Sequence, residues 1–151
     1  ADEATYDLHV MVRFVLERAL IAGEMPVAEL PTQWNALYGE YLGLQVPDDR
    51  RGCLQDVHWS CGLFGYFPTY TLGNLYAAQF AAAADRALGG LPDLLRRGDF
   101  ATLREWLRRE VHAHGRRYDP GELCRRVTGA PLSSDAFLTH LDTKLSEVYA
   151  L

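Results

Sequence analysis

Residues 52–79 read GCLQDVHWSCGLFGYFPTYTLGNLYAAQ, and the change of character inside this stretch decides the fold. Its first part is interrupted by Gly52, Gly62, Gly65 and Pro68, with Trp59, Phe64, Tyr66, Phe67 and Tyr70 packed among them. Glycine and proline break helices, so residues 43–70 are expected as a loop or a short β segment. Loops so rich in aromatics are ordered, either buried or forming a binding wall. From Leu72 the composition turns Ala-rich, which is good helix material, and Gly89-Gly90 ends that helix after Leu88.

Outward from this stretch the periodicity is helical everywhere. From Asp2 to Ala22, Tyr6, Val10, Phe14 and Leu16–Leu20 recur at helical spacing, with Gly23 as the stop. After the connector 26–30, Pro31 sits where a first-turn proline is tolerated. Trp34, Leu37, Tyr38, Tyr41 and Leu42 then form a second apolar face. Downstream, Pro92 to Arg97 makes one or two turns, and Asp99 is the expected N-cap of a helix reaching His114. Asp119 leads into a helix from Pro120 to Val127, broken by Gly129-Ala130-Pro131. A last helix from near Ser134 carries Phe137, Leu138, Leu141, Leu145 and Val148 on one stripe. The expectation is a mainly α fold, read as a single helical domain over 1–151.

The totals exclude some functions. A net charge of −5, with no Lys/Arg stripe, offers no phosphate footprint, so no nucleic-acid partner is expected. No apolar run approaches the roughly 20 residues of a membrane span. Cys53, Cys61 and Cys124 follow no disulfide framework and no secretory leader is visible, which points to a reducing cytoplasm. The sequence lacks an initial methionine and opens directly into an amphipathic pattern, so a piece of a longer or trimmed chain is expected.

The chemistry concentrates in Gln55-Asp56-Val57-His58, followed by Tyr66 and Tyr70. An imidazole and a phenol on one ordered loop can both donate hydrogen bonds to charge developing in a transition state. The same residue types also cap turns and satisfy backbone groups, so the residues alone leave both readings open. Metal sets are poor: His112 and His114, two apart, point to different sides of a helix. Cys53, His58 and Cys61 fit no zinc ribbon or finger, and the two cysteines are expected as structural thiols of a buried loop. His9, near Asp2, Asp7 and Arg13, reads as an interior hydrogen-bonding histidine, and His140 as solvent-facing.

Gly52-x-x-Gln55-Asp56-x-His58-Trp59 resembles the Gly-x-x-Gln-Asp-x-His-Trp signature of the M32 (Taq-type) zinc carboxypeptidases at every specified position. The run from Gly65 to Gln79 and the opening from Ala1-Asp2 to His9 are also similar to that family. Ala1-Asp2 matches the tail of its Ile/Val-Arg-x-x-Ala-Asp motif. The resemblance implies a helical metallopeptidase that removes single residues from peptide C-termini with one zinc or cobalt ion. In that family a His-Glu-x-x-His helix and a further glutamate hold the metal, and this sequence contains no such helix. None of its residues is therefore expected to ligate metal.

By the same resemblance, His58 and Tyr70 are the catalytic candidates, stabilising substrate backbone or the developing oxyanion. Gln55, Asp56 and Tyr66 are the substrate-binding candidates, with Gln55 and Asp56 also shaping the loop and orienting His58. No arginine clamp for a peptide carboxylate is evident. The functional expectation is a C-terminal part of a carboxypeptidase, without its metal-binding part and inactive alone, whose partners are peptide substrate and either a second copy or an N-terminal catalytic half. The alternative is a stand-alone regulatory or binding module derived from such an enzyme.

Overall fold

α1 (Tyr6–Ile21) carries two rival apolar stripes, and the core takes one of them. Val12 and Leu16 are fully buried, whereas Phe14, expected to face inward with Tyr6 and Val10, is 42% exposed. Residues 12 and 16 share one helical face, and there α1 meets the large rings of α2 (Leu30–Leu42). Trp34 and Tyr38 stack at 5.0 Å and close a core with Val12, Leu16, Met25 and Cys53. α1 stops in a Schellman turn, in which Glu24 N–H bonds the Ala19 carbonyl and Gly23 N–H that of Leu20. Gly23 supplies the positive φ of 71° that this turn requires.

The computed structural model describes residues 2–150 and divides into two compact units, one running to Leu72 and the other from Gly73. In the first, residues 43–67 form a loop with short 3-10 turns at Asp49–Arg51 and Cys53–Gln55. Of the two forms expected for this segment the loop is found, and no strand occurs among the described residues. Asp48 caps its first turn, accepting from Arg51 N–H at 2.9 Å. Gly52 is crowded in: a Cβ there would lie 2.8 Å from Val46 Cγ1.

Buried carboxylates pin the loop. Glu17, 5% exposed, accepts from Trp59 Nε1 at 2.8 Å and from Gly65 N–H at 2.7 Å. Asp7 accepts from Thr71 Oγ1 at 2.5 Å, fixing the first turn of α3 (Pro68–Leu88). Hydrogen bonds to charged groups contribute about 1.5–3 kcal/mol each, so these few contacts outweigh many ordinary ones. Cys53 lies in the core, where burial, and then the Asp49 charge, push its thiol up. Cys61 is exposed, contrary to the buried thiol expected; only its backbone N–H is engaged in the tight turn, on the Val57 and His58 carbonyls.

The second unit holds the rest of α3, α4 (Leu91–Arg96), α5 (Phe100–Glu110), α6 (Pro120–Thr128) and α7 (Asp135–Tyr149). Ala83 and Ala84 leave room for the indole of Trp106, and Leu88, Leu103, Leu107 and Val127 close around it. Asp99 caps α5, accepting from Thr102 N–H at 3.2 Å and Oγ1 at 2.7 Å. α5 ends at Glu110, short of the expected His114, because Val111 leaves helical geometry and His112–His114 form a 3-10 turn. Buried Gln79 clasps the segment after α6, donating to Thr128 Oγ1 and the Pro131 carbonyl and accepting from Ser133 N–H.

The expected α7 stripe is only half covered. Phe137, Leu141 and Leu145 are partly buried, while Leu138 and Val148 are exposed. His140 is exposed, as expected. No helix among the described residues is long and apolar enough to cross a membrane.

Candidate functional site

A cavity of about 540 Å³ opens in the first unit, between the polar side of α1 and the loop. Tyr6, His9, Val10 and Arg13 of α1 line it, with Tyr38 of α2 and Tyr70 of α3. The loop contributes residues 44–47, Arg51, Gln55, Asp56, His58 and Phe67. His9, Arg13 and Glu17 fall at i, i+4 and i+8 of α1 and so share one face. That stripe meets the loop.

The cavity wall contains one continuous hydrogen-bonded chain. Tyr70 Oη lies 2.9 Å from His58 Nε2. His58 Nδ1 lies 2.5 Å from Asp56 Oδ1, which also accepts the His58 backbone N–H at 2.9 Å. The other carboxylate oxygen, Oδ2, accepts from Arg13 Nε at 2.5 Å. Arg13 Nη1 donates to the His9 carbonyl at 2.8 Å and to Tyr38 Oη at 3.0 Å, and Tyr38 Oη lies 3.2 Å from His9 Nδ1. Phe67, 1% exposed, backs the imidazole with its ring 4.8 Å away.

Charge fixes the proton positions along this chain. The Asp56 side chain is 7% exposed, and burial alone would raise its pKa. The Arg13 hydrogen bond, the two N–H donors of His58 and the guanidinium charge outweigh that and hold it below its ordinary value. An ionised carboxylate only accepts, so His58 carries its proton on Nδ1. A neutral His58 then accepts the Tyr70 proton at Nε2. A charged His58 instead donates Nε2–H to the phenol oxygen and frees the phenolic proton for the cavity. Burial, then the neighbouring Tyr66, Tyr6 and Asp56, raise the Tyr70 pKa, so its hydroxyl stays protonated near neutral pH. Burial and then Arg13 lower the pKa of His9, so that ring is neutral there.

Of the residues singled out in the sequence, Gln55, Asp56, His58 and Tyr70 meet at the cavity. Both Asp56 oxygens are taken by Arg13 and His58, which makes it a support for His58 rather than a free ligand. Tyr66 is 42% exposed and flanks His58 and Tyr70, at ring distances of 5.9 and 5.4 Å, outside the cavity lining. Arg13, Tyr38, His9 and Arg51 were not foreseen there. Arg51 reaches the rim and its guanidinium makes no ion pair with another described residue.

The described residues do not compose a metal centre. Among the described residues no group of three or more His, Cys, Asp and Glu could hold an ion. The cavity's best ligand, His58, has both ring nitrogens engaged, and Asp56 has both oxygens engaged.

A family model described as Carboxypeptidase Taq (M32) metallopeptidase matches residues 1–145. The chain is 48% identical over 149 residues to Thermostable carboxypeptidase 1 of Thermus thermophilus, covering 99% of this chain and 29% of that protein. It is 42% identical over 151 residues to Carboxypeptidase 1 of Bacillus subtilis, covering 100% of this chain and 30% of that one. The crystal structure of an M32 carboxypeptidase from Deinococcus radiodurans R1 superposes with a TM-score of 0.96 at 48% identity, over 100% of this chain and 31% of its own. The chain thus spans about 30% of the length of these relatives. Ala1, which begins the opening match, lies outside the described residues.

Proposed function

Because the chain belongs to the M32 (carboxypeptidase Taq) family of metallocarboxypeptidases, we propose that it is the C-terminal, substrate-side part of such an enzyme, acting on the C-termini of peptides. One observation carries this reading. His58 and Tyr70 stand hydrogen-bonded in the wall of a cavity, and Asp56 holds the imidazole from behind.

The proposed roles follow from what each group can donate. Charged His58 donates Nε2–H to the Tyr70 oxygen, and the Tyr70 hydroxyl so freed can donate to a substrate carbonyl as it gains negative charge. One such donor contributes about 100–1,000-fold in rate. Gln55 offers an amide to substrate backbone, and Tyr66 supplies a ring at the mouth. Arg51, which makes no ion pair with another described residue, suits the carboxylate of a peptide end.

The family is metal-dependent, and the ion, zinc or cobalt in this reading, belongs to the metal-binding part that precedes these residues in the family pattern. Since the residues here do not fit a metal centre, no step in this reading passes through one. The same reading places the protein in the cytoplasm, as a homodimer or paired with its catalytic half.

A peptidase assay tests it. The 151-residue chain is mixed with a separately made N-terminal half bearing the His-Glu-x-x-His helix, with zinc or cobalt added. Release of C-terminal residues by the mixture, and by neither part alone, is expected. A well-folded chain that gives no activity in the mixture overturns the reading.

A further inference from the structure

Two arginines line the cavity, and their surroundings differ. Arg51 makes no ion pair with a described residue, whereas Arg13 is committed on several sides. Its Nε donates to Asp56 Oδ2, and its Nη1 donates to the His9 carbonyl and Tyr38 Oη. The flat of the guanidinium lies over Trp34, 4.8 Å from the ring centroid. A guanidinium held by a carboxylate, a carbonyl, a phenol and an indole face has little freedom to turn toward a ligand.

We infer that Arg13 is a positioning residue: by fixing Asp56 Oδ2 it aims Oδ1 at His58 Nδ1, and so keeps the neutral imidazole's proton on Nδ1 and its Nε2 lone pair toward Tyr70. This rests on the reading of His58 and Tyr70 given above. An aspartate with one oxygen anchored has one orientation to offer its neighbour. Without Arg13 the carboxylate keeps the His58 backbone N–H on Oδ1 but loses the anchor and the counter-charge on Oδ2, and so gains freedom to turn about that one remaining bond. Its hold on the Nδ1 proton then weakens. The imidazole gains access to the opposite tautomer, in which Nε2–H faces the phenol and Tyr70 no longer donates to a ring lone pair. Nothing in sequence spacing ties Arg13 to this chemistry, since 43 residues separate it from Asp56.

Imidazole nitrogen NMR on the 151-residue chain, labelled at histidine and assigned through His58→Asn, reads the tautomer without any peptidase activity. Wild-type neutral His58 is expected in the Nδ1–H form alone. Arg13→Met is expected to give a mixture of tautomers and to move the Asp56 carboxyl titration upward, with the amide spectrum still that of a folded chain. If Arg13→Met does not fold, Arg13→Lys decides, because lysine keeps stem and charge but lacks the Nε–H aimed at Oδ2. A tautomer mixture in that variant upholds the inference. Wild-type His58 in the Nε2–H form overturns it, as does an unchanged Nδ1–H form in a folded Arg13 variant. A silent peptidase mixture with His58 locked as expected sinks the proposed function and leaves this inference standing.

Discussion

The two units of the chain handle charge in opposite ways. In the first, Asp7, Glu17 and Asp56 are withdrawn from solvent and each carboxylate accepts from a specific group on the loop, α1 or α3. In the second, Arg104, Arg108 and Arg109 of α5 and Arg125 and Arg126 of α6 pair with glutamates on the exposed faces of their own helices. Exposed pairs of that kind contribute about 0–1 kcal/mol, because water screens them and two long side chains must be ordered. The second unit is held by the packing of Trp106 on Ala83 and Ala84. The difference teaches where geometry is needed: buried charge appears where a loop must hold a cavity open in one shape.

The strongest way to break this comparison is Glu17→Ala. It removes two charge-assisted bonds from a buried site and is expected to destabilise the chain by about 3 kcal/mol. Urea unfolding checks the magnitude, and hydrogen exchange should show the Gly65 amide losing protection first. A loss below about 1 kcal/mol would put Glu17 with the surface pairs. Tyr70→Phe comes next. It should leave stability near wild type yet lower kcat of the peptidase mixture about 100-fold, one donor's share.

A pH titration of stability sharpens the contrast further. The folded pKa of Asp56 is depressed, so its contribution is present above the ordinary carboxylate value of about 3.9 and disappears as pH falls through the lower folded value. Asp56→Asn should therefore flatten part of the acid limb of an unfolding curve. The smallest effect is expected from Glu122→Ala, which frees both Arg125 and Arg126. Thermal unfolding should register less than about 1 kcal/mol, and a larger loss would erase the distinction between the units.

The helices were legible because their ends are punctuated: Gly23, Gly43 and Gly129 adopt the positive φ that ends a helix, and Asp99 caps α5 as its position suggested. Less legible was which of α1's stripes the core would take, since Phe14 and Val12 are equally apolar and only α2 decides between them. In the site, Gln55, Asp56, His58 and Tyr70 were readable as a string. Arg13 and Tyr38 were not, because hydrogen bonds across 25 and 43 residues leave no local pattern. One signal was available. His9, Arg13 and Glu17 form a polar stripe at helical spacing in a segment whose other residues are mostly apolar, and such a stripe must meet partners or water.

The anchors of the loop lie far from it along the chain: Glu17 is 48 residues from Gly65, and Asp7 is 64 from Thr71. The signature octapeptide is consequently not a portable cassette. Synthesised as a peptide, or grafted into another scaffold, it would arrive without the helix that supplies its counter-charge and its tethers. Transplanting the chemistry requires moving α1 together with the loop, and a designer who shortens or recircularises this protein should leave α1, the loop and the first turn of α3 uncut.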